Sequence, residues 1–267
     1  MTVIQSLPQE LLELIIDIYS FNGTAPLKML SLVSRAWRLR SQSHIFREFF
    51  LNHSIMKKIY SETPKPTNAI APQGQFPVVF SYVQNLTIDA QTIASPHEVC
   101  LGILQFFSGV VSLKIKNWDF CNFGRNHITN CFSHIHETVG TLELHGCYVN
   151  SEVLISLTSE FCVINSLRVL PPYFAHKTYK IQSMDKPQPV KFQGDLFLAE
   201  FGAHHEDFLT FVDKNSLGVC SIHVPFCKNK GVLQKLFEDR GDQLLSVGIG
   251  FGSREGKVIT IQEYIPP

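Results

Sequence analysis

A short pattern of alternating apolar and polar residues recurs along the chain after residue 82, and it constrains the fold more than any other feature. Strict alternation over four to six residues predicts a strand with one buried face. Apolar residues at the same place in the pattern follow one another at intervals of 25 to 29 residues, at Leu86, Leu113, Leu142, Leu167, Leu196, Ile222 and Val247. Seven predicted strands at a regular period indicate a repeat fold.

Helix-like stretches lie between several of these strands, at 98–107, 125–138, 151–162 and 230–241. A strand and a helix in each period resemble leucine-rich repeats, and Leu142-x-Leu144-x-x-Cys147 is the best match to their consensus. The resemblance implies an irregular solenoid with a mostly parallel sheet. An ordinary α/β domain with a mostly parallel sheet stays open as an alternative. Residues 171–190 lack helical periodicity and predict a loop or an extra extended pairing.

The first fifty residues have a different pattern, which predicts three helices. Ser6 and Pro8 suit the start of a first helix, and the apolar residues from Leu11 to Tyr19 are so dense that both of its sides are apolar. One side can pack inside a small helical unit, whereas the other needs a cover from this chain or from another protein. A second helix is expected after the break at residues 21–26, and Ser43 is expected to cap a third helix that includes Phe49.

Two segments of this region carry a second resemblance. Leu7-Pro8-Gln9-Glu10-Leu11-Leu12 and Leu32-Val33-Ser34-Arg35-Ala36-Trp37-Arg38 resemble an F-box of the type common in fungal F-box proteins. The resemblance implies docking on the SKP-type adaptor of a cullin ubiquitin ligase, an SCF complex. The adaptor-binding residues that it implies are Leu7, Pro8, Leu11, Ile15, Leu30, Val33 and Trp37.

These patterns predict an α+β or α/β repeat protein in three parts. Residues 1–55 form the F-box-like helical module, and residues 81–267 form the leucine-rich-repeat-like domain that binds a target protein. Residues 56–80 are rich in proline and are predicted to be a connector.

Composition excludes several classes of protein. Lys plus Arg equals Asp plus Glu at 23 each, so no overall positive charge attracts nucleic acid. Seven scattered cysteines are typical of a reducing compartment. We find neither a signal peptide nor an apolar run long enough to span a membrane. A cytoplasmic or nuclear protein without membrane contact is therefore expected.

Residues with catalytic potential do not form a recognisable motif. Cys121, His127, Cys131, His134 and His136 are the densest group of possible metal ligands, but they lack the two close pairs that zinc sites use. No Gly-x-Ser-x-Gly sequence is present. The sequence thus predicts no catalytic residue, metal or cofactor, although a hydrolase or metal enzyme remains a third hypothesis.

If the repeats form, residues between the apolar strand positions face one open surface. The candidates for target binding are Lys114, Lys116, Glu143, His145, Arg168, Phe197 and His223. Their mixed charge and aromatic character suit a protein or peptide. The leading hypothesis is a non-enzymatic substrate receptor for ubiquitin-dependent degradation, whose target the sequence does not identify. The alternative is a leucine-rich-repeat interaction protein without a ubiquitin-ligase role, in which the helices only cap the repeats.

Overall fold

The structure is a computed structural model, and it consists of a helical unit followed by a parallel sheet. It describes residues 8–52, 54–55, 79–92, 102–120, 125–170, 191–199, 206–224, 234, 238 and 246–249. The helical unit contains α1 (Gln9–Ser20), α2 (Thr24–Val33) and α3 (Arg35–Ile45).

The three helices pack around a small interior of their own. Leu12 and Ile16 of α1, Leu27 of α2 and Trp37 of α3 are buried together. Gly23, between α1 and α2, has a φ of 92°, a conformation that glycine adopts more easily than other residues. The hydroxyl of Ser34 accepts a hydrogen bond from the Trp37 amide at 3.4 Å and so caps α3.

The prediction of a third helix that Ser43 caps and that includes Phe49 is wrong. The third helix begins at Arg35 and ends at Ile45, and residues 48–51 form a strand. Phe49 packs against the core of the sheet, and Leu51 is fully buried there. The first strand of the sheet therefore lies inside the range 1–55 that was predicted for the helical module.

Within the described residues, eight parallel strands form one sheet, and their order in the sheet is their order in the sequence. The strands are β1 (Glu48–Leu51), β2 (Asn85–Asp89), β3 (Ser112–Lys116), β4 (Thr141–His145), β5 (Val163–Leu170), β6 (Lys191–Leu198), β7 (Ser216–Val224) and β8 (Ser246–Ile249). This arrangement confirms the mostly parallel sheet and the α/β class.

The seven apolar residues that define the sequence period are register partners in β2 to β8, as the period predicts. Leu86 pairs with Leu113, then Leu142, Leu167, Leu196, Ile222 and Val247 follow in the same row. Phe49 of β1 pairs with Leu86 and begins the row. From Leu86 to Ile222 these side chains are buried.

Helices cover the buried face of the sheet. They are α4 (Arg125–Phe132), α5 (Ser151–Thr158) and α6 (Glu206–Asn215). Phe132, Leu154 and Phe208 from these helices belong to the same core as the buried strand residues. Helices are thus present in the predicted stretches 125–138 and 151–162, and a short 3-10 helix at Leu104–Phe106 lies within 98–107.

Most of the other segments predicted from the sequence lie outside the described residues. Residues 171–190 and nearly all of 230–241 lie outside the described residues, as do most of the predicted connector residues 56–80. Among the described helices, none is both long and apolar enough to cross a membrane.

Candidate functional site

The helical unit exposes a set of large apolar side chains, which we call the apolar helix face. It consists of Leu11, Leu14 and Ile18 on α1 and Met29, Leu32 and Val33 on α2. Their exposed fractions range from 45% for Leu11 to 81% for Leu32. The helical spacing explains the exposure on α1, because residues 11, 14 and 18 lie on the opposite side from the buried Leu12 and Ile16.

The residues that the sequence predicted as adaptor contacts lie in different environments. Pro8, Leu11 and Val33 are exposed. Ile15 and Leu30 are partly buried against the interior of the helical unit. Leu7 lies outside the described residues.

Trp37 is only 7% exposed because its ring fills the interior of the helical unit. In this structure its side chain is not available to a partner, and its role is to stabilise the unit. The predicted adaptor contacts did not include the exposed residues Leu14, Ile18, Met29 and Leu32. Their helical spacing could have indicated a second apolar side.

A charged cluster joins α1 to α3. The guanidinium of Arg40 donates two hydrogen bonds to the Asp17 carboxylate, at 2.7 and 2.6 Å. His44 Nε2 lies 2.8 Å from the same carboxylate. The hydrogen bond from Arg40 lowers the pKa of Asp17 to about 2, with a smaller contribution from His44 and in spite of partial burial. The cluster therefore connects α1 to α3 through charged hydrogen bonds.

The second surface is the face of the sheet opposite the helices, which we call the open face. One residue from each of β1 to β7 forms a row across it, and we call this the central row. Its members are Phe50, Thr87, Lys114, Glu143, Arg168, Phe197 and His223. Five of the seven predicted target-binding residues belong to this row, and Lys116 and His145 follow two residues later on β3 and β4.

Glu143 is the centre of an ionic network on the open face. Its carboxylate lies 2.8 Å from Lys114 Nζ, 3.0 Å from His145 Nε2 and 3.7 Å from Arg168 Nη1. Partial burial raises the pKa of Glu143, but the hydrogen bonds with Lys114 and His145 outweigh that effect, so the pKa is below its ordinary value. Glu143 therefore stays charged.

The pKa of His145 is lowered, whereas a histidine in a simple ion pair with a carboxylate has a raised pKa. Its pKa is below the ordinary value because it is partly buried, and the charges of Lys114 and Lys116 act in the same direction. The hydrogen bond with Glu143 raises the pKa but does not compensate. The imidazole is therefore mostly neutral near neutral pH.

Aromatic rings extend the network on both sides. Lys116 Nζ lies 5.7 Å from the centre of the Phe50 ring, and the Arg168 guanidinium lies 5.4 Å from the centre of the Phe197 ring. Phe197 and His223 are 6.4 Å apart between ring centres. Phe50 was not among the predicted site residues, because its segment was assigned to a helix.

A concave pocket of about 450 Å³ lies at the first four strands of the open face. Its lining is Glu48, Phe49, Phe50, Asn85, Leu86, Thr87, Ser112, Lys114 and Glu143. The pocket also includes Asn85 and Ser112, small polar residues two positions before Thr87 on β2 and Lys114 on β3. Sequence reasoning missed these two residues, because short polar side chains in strands gave no distinctive motif.

Metal binding and nucleophilic catalysis have little support among the residues that the structure describes. Those residues contain no group of three or more His, Cys, Asp or Glu side chains that is arranged to hold a metal ion. Burial raises the pKa values of Cys131 and Cys147 to about 11, so both remain thiols rather than reactive thiolates. Cys121, from the possible zinc group, lies outside the described residues.

Comparison with known proteins adds no assignment. No model of a protein family matches the chain, and no curated protein is significantly similar to it.

Proposed function

We propose that this chain is the substrate-recognition subunit of an SCF-type cullin ubiquitin ligase. The F-box-like helices dock on the SKP-type adaptor, and the leucine-rich-repeat-like domain binds the target protein. The chain has no active site of its own, and it acts in the cytoplasm or nucleus. It raises the effective concentration of the target at the ligase, because it holds lysines of the target within reach of the ubiquitin-conjugating enzyme.

The exposure of the apolar helix face is the observation that carries this proposal. Soluble proteins that expose several large apolar side chains close together commonly use them for binding. Burial of each such side chain contributes about 1.5 to 3 kcal/mol, and a few of them usually dominate the affinity. The resemblance of residues 7–12 and 32–38 to an F-box supplies the identity of the partner.

The open face supports the second half of the proposal. Its central row combines charged and aromatic side chains over seven strands, and it borders a concave pocket. Arginine and aromatic residues are enriched in protein interfaces. A parallel array of this kind presents such residues at regular intervals to one extended partner.

The test is capture of a purified SKP-type adaptor by the full chain. Leu11→Asp and Val33→Asp place a charge on the apolar helix face, and we expect each to abolish capture, since an unpaired charge in an interface costs several kcal/mol. Val111→Asp is the matched control: this valine is 48% exposed, close to the 57% of Val33, and it precedes β3 rather than lying in the helical unit. Adaptor capture by the Leu11→Asp and Val33→Asp variants at the level of the control would refute the docking surface.

A second candidate function is an interaction protein whose helices cap the repeat array. It is favoured by the direct passage from α3 into β1, where the Arg47 carbonyl accepts hydrogen bonds from the Gln84 and Asn85 amides at 2.9 Å each. β1 is an edge strand, and repeat arrays need their ends covered. Under this alternative the unmodified full chain captures no adaptor, which separates the two functions in one measurement.

A further inference from the structure

One side of α3 carries exposed side chains that the interior of the helical unit does not use. Trp37 and Ser41 are the buried residues of this helix. Arg35, Arg38 and Leu39 lie away from them at helical spacing, and all three side chains are exposed. We call these three residues the outer face of α3. It combines two cations with a large apolar residue that is 60% exposed.

The exposed side of α2 has the same combination of residues. Lys28 and Leu32 are four residues apart, as are Arg35 and Leu39, so the two side chains of each pair are neighbours on the helix surface. Only Ser34 separates α2 from α3. Cations and large apolar side chains are therefore adjacent on both helices.

The cations of α2 and α3 have no carboxylate on their own helices. No Asp or Glu occurs in α2, in α3 or between them. The acidic residues of the helical unit are on α1, and Asp17 among them is already bound by Arg40. Within the described part of the chain, the side chains of Lys28, Arg35 and Arg38 make no hydrogen bond or ion pair. Their positive charge is thus available to a partner.

Arg35 and Arg38 also lie in the first turn of α3, where positive charge is unfavourable. The amide groups at the start of a helix carry partial positive charge and favour acidic neighbours. The first turn of α3 contains no acidic residue. Residues that oppose a local preference without compensation inside the chain are expected at functional surfaces. The two arginines therefore indicate contact with another molecule.

We propose that the outer face of α3 and Lys28 bind carboxylates of the SKP-type adaptor, so that the docking surface is basic as well as apolar. Arg35 and Arg38 pair with acidic side chains beside an apolar surface of the adaptor, and Leu39 extends the apolar helix face onto α3. Trp37 then supports docking by holding α3 in place. This inference rests on the proposed function, which supplies the adaptor as the partner.

An acidic protein fits this surface better than an anionic membrane or a nucleic acid. Helices that lie on membranes insert a broad apolar side, often with Trp or Phe, whereas the outer face of α3 has one apolar residue beside two cations and Trp37 is buried. A nucleic acid binds cations along a line of phosphates and makes no use of exposed leucine. Arginine binds carboxylates through paired hydrogen bonds and is enriched in protein interfaces.

The experiment measures capture of the purified SKP-type adaptor by the full chain at increasing salt concentration. Arg35→Gln and Arg38→Gln should each weaken capture roughly two- to fivefold at low salt, the effect of one partly exposed ion pair. Combining Arg35→Glu with Arg38→Glu should weaken it by about tenfold or more, because like charges then face each other. Added salt should weaken capture by the unmodified chain more than by the variant that carries both glutamine substitutions.

The control removes a positive charge from another part of the molecule. Lys191→Gln replaces an exposed lysine at the start of β6 and changes the net charge by the same amount. It should leave adaptor capture unchanged at every salt concentration.

The stability of the helical unit separates a loss of binding from a loss of folding. Because the two arginines oppose the start of α3, Arg35→Gln and Arg38→Gln should leave the denaturant midpoint unchanged or raise it while capture weakens. Far-ultraviolet circular dichroism in denaturant measures the midpoint. A lower midpoint in both variants would mean that the arginines stabilise the fold, and it would overturn the inference.

The capture results distinguish this inference from the proposed function. Capture by Arg35→Gln and Arg38→Gln at the level of Lys191→Gln refutes the basic contact and leaves adaptor docking in place. Absence of capture by the unmodified chain refutes both. Vesicles of phosphatidylserine and phosphatidylcholine and a single-stranded oligonucleotide are tested with the same chain. Binding of either as tightly as the adaptor, with loss of that binding in the arginine variants, would also overturn the inference.

Discussion

Asp17 and Arg40 form a two-bond contact between α1 and α3, in which both carboxylate oxygens accept from the guanidinium at 2.6 to 2.7 Å. Such paired bonds fix direction as well as distance, because both groups are planar. The contact connects helices whose shared interior is small. Its loss should therefore loosen the helical unit without touching the apolar helix face.

We expect Asp17→Asn to lower the free energy of unfolding of the helical unit by about 1 kcal/mol. The lowered pKa of Asp17 alone would suggest more, but its side chain is 36% exposed, and solvent screening reduces the contribution of such pairs. Denaturant unfolding measures the change, monitored by Trp37 fluorescence in a Trp118→Phe background that removes the other tryptophan of the chain. Asp207→Asn, on α6, is the control and should leave the Trp37 transition unchanged.

The same contact predicts an acid limit for the helical unit. The pKa of Asp17 is about 2 in the folded chain and 3.8 in the reference state, so the contact contributes fully above pH 3.8 and is lost as the pH falls towards 2. The Trp37 transition of the unmodified chain should therefore weaken between about pH 4 and pH 2, whereas in Asp17→Asn it should weaken less over that range. Equal pH dependence in both proteins would contradict this assignment.

Trp37 and Leu32 test the difference between an interior residue and an exposed one in the segment 32–38. Trp37→Ala should lower the free energy of unfolding by about 3 to 5 kcal/mol, because it leaves a cavity among Leu12, Ile16 and Leu27. Leu32→Ala should change it by less than about 0.5 kcal/mol, since the side chain is 81% exposed. Far-ultraviolet circular dichroism in denaturant measures both. A large loss for Leu32→Ala would mean that it packs against this chain.

Two glycines with similar backbone angles provide a matched test of the sheet. Gly194 has a φ of 97° at the irregularity between β5 and β6, and a Cβ there would overlap the Asn165 carbonyl oxygen. Gly23 has a φ of 92°, but its surroundings are open. Gly23→Ala should cost about 1 kcal/mol from backbone strain alone, and Gly194→Ala should cost more. Thermal unfolding compares them, and equal losses would contradict the close approach at Gly194.

The sheet could be predicted because its signal repeats. The apolar strand positions from Leu86 to Val247 follow one another at a nearly constant interval. A wrong assignment in one repeat therefore does not change where the next strand is predicted. β1 could not be predicted in the same way. Its alternation is hidden because Phe50, on the open face, is as apolar as the partly buried Phe49 and the buried Leu51. A short apolar run fits a helix equally well.

The candidate surfaces were predicted unevenly for a related reason. Alternation in strands assigns a side chain to one of two faces, so Lys114, Glu143 and Arg168 could be placed on the open face from their neighbours alone. Side chains point in many directions around a helix axis, so a dense run of apolar residues does not show which of them face inward. Trp37 was therefore expected at the surface although it fills the interior of the helical unit.

Glu143 and His145 give a prediction about pH on the open face. The hydrogen bond and charge of Glu143 raise the pKa of His145, against partial burial and the charges of Lys114 and Lys116, which lower it. Of these influences, only those of Glu143 favour the protonated imidazole. Glu143→Gln removes the charge, so the pKa of His145 should fall further below its ordinary value. Nuclear magnetic resonance titration of the imidazole measures this pKa directly. Glu160→Gln is the control, because Glu160 bonds Thr129 on the helical side and should leave the titration unchanged. An unchanged or raised pKa of His145 in Glu143→Gln would show that the network at the centre of the open face does not form.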